Sequence, residues 1–376
     1  MDRRAFLRST GAVAALGLAG CLERLGFEEQ SAWRDPPLVE DRPDAVYVPA
    51  SSEEMGVYGR ATDWEYAVEL SYTFPHRFWT VSGTDRNRVV VDADDTMHLM
   101  ITPWDAETDT VLPLEMRVDI LRDGERVASE FSPPWPMISQ RMGFHYGNNV
   151  VLPEEGEYTA RISVGPVSVR RTGELEDRFD SSATLEIEFV YDRSDVHDLE
   201  FVRIDPNRHG ERDALSPMDH DAHDHGGQTD TDSHVAMELG PTPTSQGPPV
   251  EDLPGTVLGT DRSGDAKISA IETDRDRFTD GDGTYLAVTL RTPYNGVVLP
   301  FTALTATVER DGDAILDAEP LVETVDHAFG HHYGVGVDAL EGGDEVTISV
   351  DVPPGVARHD GYETAFFEFG DVEFTV

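Results

Sequence analysis

The chain has 376 residues, with 29 Lys and Arg against 73 Asp and Glu and a formal net charge of −44. A phosphate backbone would be repelled by that surface, which argues against nucleic acid as a partner, and anionic lipid headgroups are disfavoured for the same reason. Hydrophobic residues make up 39 %, enough to build real cores and to argue against wholesale disorder. Lys267 is the only lysine, so nearly all the cations are arginine. At ordinary salt this acidity would cost the fold heavily in self-repulsion. At molar salt the Debye length is about 3 Å and most of that cost disappears. The composition reads as that of a protein from a halophile.

Cys21 is the single cysteine, so an intramolecular disulfide is excluded. Upstream of it, Arg3-Arg4-Ala5-Phe6-Leu7-Arg8 precedes an apolar stretch from Gly11 to Gly20. That stretch is too short to cross a hydrocarbon core of about 30 Å as a helix. Residues 1–21 therefore read as an export signal. The paired arginines resemble a twin-arginine signal, which exports folded protein. Leu18-Ala19-Gly20-Cys21 resembles a lipoprotein cleavage box, in which the cysteine is lipidated and becomes the new N-terminus. The expected location is the outer face of the cytoplasmic membrane, lipid-anchored. Residues 22–54 read as a tether, with Trp33 and Tyr47 as docking points.

Beyond the tether, short alternating runs replace any helical period. Leu114, Met116, Val118 and Ile120 alternate with charged residues, as do Leu185, Ile187 and Phe189, which is the pattern of half-buried strands. Asp123-Gly124 supplies the positive φ angles of a tight hairpin turn. The chain also repeats itself. Val111-Leu112-Pro113 returns 187 residues later as Val298-Leu299-Pro300, and Gly143-Phe144-His145-Tyr146-Gly147 returns at the same offset as Gly330-His331-His332-Tyr333-Gly334. Upstream, Arg77-Phe78 returns as Arg277-Phe278 at an offset of 200, so the first copy carries about 13 extra residues near Gly83–Asp95. The fold class is all-β, with two tandem immunoglobulin-like sandwich modules over 55–192 and 253–376. Residues 193–252, rich in Asp, His, Pro and Gly, read as a disordered acidic linker.

Histidines and methionines carry the candidate chemistry. Met97-His98-Leu99-Met100 would lie on a strand with His98 and Met100 on one face. Pro136-Met137, Met142 and His145 follow in the same module. A histidine and one or two thioethers converging from a strand and a loop suit a copper or ferrous ion. The competing reading makes the methionines core filler and the histidines hydrogen-bonded core residues. In the linker, Met218 to His225 holds His220, His223 and His225 among three aspartates, a weak flexible chelator or simply a solvated acidic run. A blue-copper site needs a cysteine that neither module has, and no phosphate loop, dinucleotide fingerprint or nucleophile elbow occurs. Pro75-His76-Arg77-Phe78-Trp79 reads as a strand end packing its two aromatics.

The order Met97-His98-Leu99, a Leu-Pro strand, Pro136-Met137, His145-Tyr146-Gly147-Asn148-Asn149 and Gly156-Glu157-Tyr158 resembles the periplasmic iron-transport-associated proteins. These are immunoglobulin-like metal-binding partners of a membrane iron permease. The resemblance implies a metal site of two histidines, a methionine and a later histidine, with a Glu two residues after the first His. His98, Met137 and His145 match. Met100 stands at the Glu position and Arg171 at the later His. The second module keeps His332 and has His359 where the first has Arg171, but Tyr285 replaces His98 and Thr324 replaces Met137. Either the second module is a degenerate copy, or the two pack as a pseudo-dimer sharing one site that His327 or His331 could also join.

The reading is a non-enzymatic, lipid-anchored metal-binding protein that collects ferrous iron or copper for a membrane metal permease. Its alternative is a cell-surface structural or interaction protein of two immunoglobulin-like modules without metal. One prediction needs only the charge: the melting temperature should fall steeply between molar and millimolar salt. A salt-indifferent melt in calorimetry would refute the argument.

Overall fold

The computed structural model describes residues 36–128, 131, 133–218, 241–279 and 283–376. Cys21, Trp33, His220, His223 and His225 lie outside these residues, and so does the test of the readings made for them. Among the described residues, no helix is long and apolar enough to cross a membrane. The fold is nearly all β, with each module a sandwich of a four-stranded sheet and a larger one.

The alternating segments become half-buried strands as expected. In Ala183–Tyr191, Leu185, Ile187, Phe189 and Tyr191 point inward while Glu186 and Glu188 face solvent. The hairpin turns take the positive φ angles that Asp-Gly provides, 51° and 80° at Asp123-Gly124 and 53° and 85° at Asp311-Gly312. At the centre of the first module's large sheet, all nine residues of Met97–Asp105 are buried. That strand lies between Tyr66–Thr73 and Gly143–Val150.

The two modules exchange strands. Ala357–Arg358, from the second module, adds in parallel to Trp135–Ser139 of the first, with Ala357 opposite Met137. Arg170–Thr172, from the first module, adds in parallel to Val322–Asp326 of the second, with Arg170 opposite Thr324. Met137 and Thr324 are repeat equivalents, so the exchange is reciprocal about a pseudo-twofold axis. The extra residues near 83–95 form part of a hairpin, Phe78–Ser82 with Asp85–Val89, that covers the far side of the inserted strand through Trp79 and Arg358.

This register corrects one alignment. Ala357 corresponds to Arg170, so His359 corresponds to Thr172 rather than to Arg171. Arg171 and Arg358 are themselves equivalent: each guanidinium donates to the carbonyl seven residues downstream, Arg178 and Ala365. Arg171 lies at the module surface and pairs with Asp180 at 2.7 Å.

The described parts of the segments read as tether and linker are docked. Val46, Tyr47 and Val48 are buried, and Tyr47 donates to Glu363 Oε1 at 2.7 Å. Ser51–Glu53 pairs antiparallel with Phe201–Arg203, which lies inside the stretch read as disordered. Arg193–Asp198 forms a helix closed by an Asp192/Asp195 capping box. Farther on, Thr242 donates to Glu69 and Ser245 accepts from the Phe144 backbone N–H. The expectation failed because these segments satisfy their backbone groups on the modules instead of in water. Only 219–240 of the linker is undescribed.

Asn295 ties the parts together, donating to the carbonyls of Gln140 and Leu215 and accepting from the Tyr362 hydroxyl. Such cross-module pairing predicts a single cooperative unfolding transition for the full chain. Residues 55–192 alone, lacking the inserted strand, should unfold at lower denaturant. Two separated transitions in the full chain would contradict the exchange.

Candidate metal centre

The exchanged strand delivers His359 to the first module. Its backbone N–H donates to the Ile138 carbonyl at 3.3 Å, and the Tyr362 N–H returns to the His359 carbonyl at 3.0 Å. Arg358, buried beside it, donates to the carbonyls of Pro354, Ala365 and Phe366 and thereby fixes the loop. Burial pushes the Arg358 guanidinium down to about 9.

Four histidines meet there. Ring centroids of His76 and His98 are 4.2 Å apart, those of His76 and His359 4.7 Å, and those of His145 and His359 5.3 Å. The ring nitrogens of His76, His98 and His359 come within 4.8 Å of one another. Two nitrogens on one tetrahedral ion, at bonds of about 2.0–2.1 Å, stand about 3.3 Å apart, so modest ring rotation brings His98 and His359 onto one ion. Met137 is the cross-strand partner of His145 and shares its face.

Hydrogen bonds set the tautomers. Asn149 donates its amide to the His76 carbonyl at 3.0 Å, which turns its Oδ1 toward His98 Nδ1 at 2.9 Å. His98 must therefore carry its proton on Nδ1. His145 Nδ1 likewise donates to the Gly143 carbonyl at 3.0 Å. His76 Nδ1 faces the Phe74 carbonyl at 2.9 Å and Glu53 at 3.1 Å, leaving Nε2 toward His359 Nδ1 at 3.0 Å. With His359 protonated on Nδ1, the lone pairs of His98, His145 and His359 all lie on Nε2. Fixing a ligand by its other ring nitrogen is how proteins hold metal-binding histidines.

Electrostatics favour neutral rings at His98 and His359. Burial, reinforced by the neighbouring imidazoles, holds His98 and His359 well below the usual histidine range. Burial also opposes charge on His76, but Glu53 and the Phe74 carbonyl outweigh it and raise that group.

The set fits a metal ion. Nε2 of His98 and Nε2 of His359 are buried and make no hydrogen bond, a costly state that an ion would relieve. Gly147 leaves the space: a Cβ there would stand 2.7 Å from His98 Nε2 and 3.1 Å from Met137 Sδ. Imidazoles with one thioether form a borderline-soft set suited to copper or iron.

The other expected residues lie elsewhere. Met100 shares a strand with His98 but packs with Met55, Met142 and Met218. His332 sits in the second module at the place equivalent to His145, yet there the cradle is filled. A Cβ on Gly334 would meet the Tyr285 hydroxyl at 2.2 Å, Phe278 stacks on Tyr285 at 4.4 Å, and His332 Nε2 faces the Tyr285 hydroxyl at 3.4 Å. Burial lowers His332 to about 4. His331 pairs with Glu323 at 2.7 Å and His327 lies against Gly173, so neither joins the centre. His76 is the residue that sequence reasoning missed. Phe78 and Trp79 beside it are indeed buried, but His76 turns toward the imidazoles.

Gly147→Ala should push His98 and Met137 apart and weaken metal binding at least tenfold, with the circular-dichroism spectrum unchanged. Unaltered affinity in a competition titration would remove Gly147 from the site.

A family described as a domain of unknown function (DUF7350) matches residues 251–375. No curated protein matches the chain. Two solved structures of FetP from uropathogenic Escherichia coli strain F11 are similar to it. A copper-bound variant is 18 % identical with a TM-score of 0.28, covering 37 % of this chain and 97 % of its own. The as-isolated protein is 17 % identical with a TM-score of 0.27, covering 37 % of this chain and 96 % of its own.

Proposed function

We propose that the chain is a carrier for one transition-metal ion, copper or ferrous iron, held by His98, His145 and His359 with the thioether of Met137. His76 and Asn149 orient the rings, and Glu53 anchors His76. The observation that carries this reading is the pair of buried, unsatisfied Nε2 atoms on His98 and His359, brought together from different modules. Nothing in a purely structural sandwich requires that pair, because two buried polar atoms without partners cost stability.

The role is transport rather than catalysis. The four donors are neutral, so they can hold a cation without the net negative charge that would make release slow. The ion would be presented to a membrane metal permease on the outer face of the cytoplasmic membrane. Lipidation of Cys21 after twin-arginine export would keep the carrier beside its transporter.

The test is metal analysis of protein purified from its own host at native salt, followed by titration with Cu(II) and Fe(II). His98→Ala and His359→Ala should each weaken binding by more than the roughly 10–100-fold that loss of an outer partner costs, whereas Asn149→Leu should fall within that range. His332→Ala should leave affinity unchanged. Protein that carries no metal and takes up none would return the chain to the structural reading.

A further inference from the structure

Seven of the nine methionines fall among the described residues, and four of them, Met55, Met100, Met142 and Met218, form a separate buried cluster. Among the described residues, the partly buried Val57 packs against it. The main core, by contrast, includes only Met97 and Met116 among its many Leu, Val, Ile and Phe side chains. Core filling therefore does not account for the cluster. Methionine loses more rotamer entropy on burial than leucine, so four together are a poor choice for packing alone.

The four come from separate parts of the chain. Met55 follows the first strand, Met100 lies on the buried central strand, Met142 lies in the turn before Gly143–Val150, and Met218 lies in the inter-module segment. Met218 is held deliberately: its N–H donates to the Arg141 carbonyl at 2.7 Å, and Arg141 Nη1 donates to the Ser216 carbonyl at 2.8 Å. All four line one cavity of about 100 Å³, whose wall also includes His76 and His359. That space is smaller than the roughly 300–1,000 Å³ of an organic ligand pocket and is of a size for an ion. Beyond Met218 the chain continues directly into the Asp and His residues of 219–225.

We propose that Met55, Met100, Met142 and Met218 form a second metal site, an all-thioether site for a soft monovalent cation of the Cu(I) class, at the mouth of the imidazole centre. Thioether sulfur is neutral and polarisable, and it selects Cu(I) over harder ions. Thioether sulfur is a weaker donor than imidazole to a divalent ion, whose desolvation cost scales with the square of its charge. Arg77 and Arg141 share the wall with Glu53 and Asp360, so its formal charges balance and leave the thioethers to set the preference. The site stands independently of the imidazole centre, since no donor is shared.

The experiment uses the full chain with His220, His223 and His225 replaced by Asn, so that the tract does not compete. Cu(I) is titrated anaerobically against bicinchoninate in molar sodium sulfate, and the bound copper is examined by X-ray absorption. The parent should bind a Cu(I) ion with a sulfur-only shell. Met100→Leu/Met142→Leu, a volume-conserving pair, should lose that equivalent and its sulfur scattering while keeping Cu(II) binding at the imidazole centre. His98→Ala should show the reverse, losing Cu(II) and retaining sulfur-bound Cu(I). The single variant Met218→Leu, on the segment least embedded in the sandwich, should lower Cu(I) affinity at least tenfold. Unchanged Cu(I) stoichiometry and affinity in the methionine variants, or a parent whose Cu(I) has only nitrogen neighbours, would overturn the proposal.

Discussion

The parallel pairing of Ala357–Arg358 with Met137–Ile138 is the contact on which the rest depends. It closes the gap between Trp135–Ser139 and Phe78–Ser82, and it carries His359 into the other module's sheet. A two-residue strand is weak alone. Here the buried Arg358 guanidinium binds the Pro354 carbonyl before it and the Ala365 and Phe366 carbonyls of the following loop, and Asn295 and Tyr362 lock that loop to the module interface. Hydrogen bonds from a charged donor contribute about 1.5–3 kcal/mol each, which offsets part of the cost of burying the cation.

Much of the fold was legible because strands and turns are local statements. Alternation at 185–189 and the Asp-Gly turns report on a few neighbouring residues, and they formed as read. The centre was legible only in part. His98, Met137 and His145 stand on adjacent strands of one sheet, so a repeat and a motif order can find them. His359 comes from the other module through an exchange, and a one-residue register error had paired it with Arg171. His76 belongs to a cluster whose aromatic members drew the reading toward packing. The linker misled for a compositional reason: polar segments with little apolar content can still dock when the modules supply hydrogen-bond partners, as Glu69 and Phe144 do for Thr242 and Ser245.

The two glycine cradles make the divergence of the copies concrete. Above Gly147 the space is bounded by an imidazole and a thioether, and above Gly334 it is taken by a phenol stacked on Phe278. Tyr285 satisfies His332 Nε2, removes the vacancy and converts a polar pocket into an aromatic core with Phe329 and Leu253. The exchanged strand has diverged in step. Thr172, the equivalent of His359, donates to Asp326, which in turn accepts from Arg277, so the second module uses the same geometry as a buried hydrogen-bond network. Both solutions satisfy the same backbone.

Covalent fusion changes what this arrangement can become. Two identical chains exchanging strands would have to build two identical pockets, and dilution would take both apart. Joined in one polypeptide, the partner is always present at an effective concentration of roughly millimolar, whatever the amount of protein. Each half is then free to specialise, and the assembly has a fixed stoichiometry of one imidazole centre per chain. The pseudo-symmetry serves as scaffolding, and its breaking gives the molecule a front and a back.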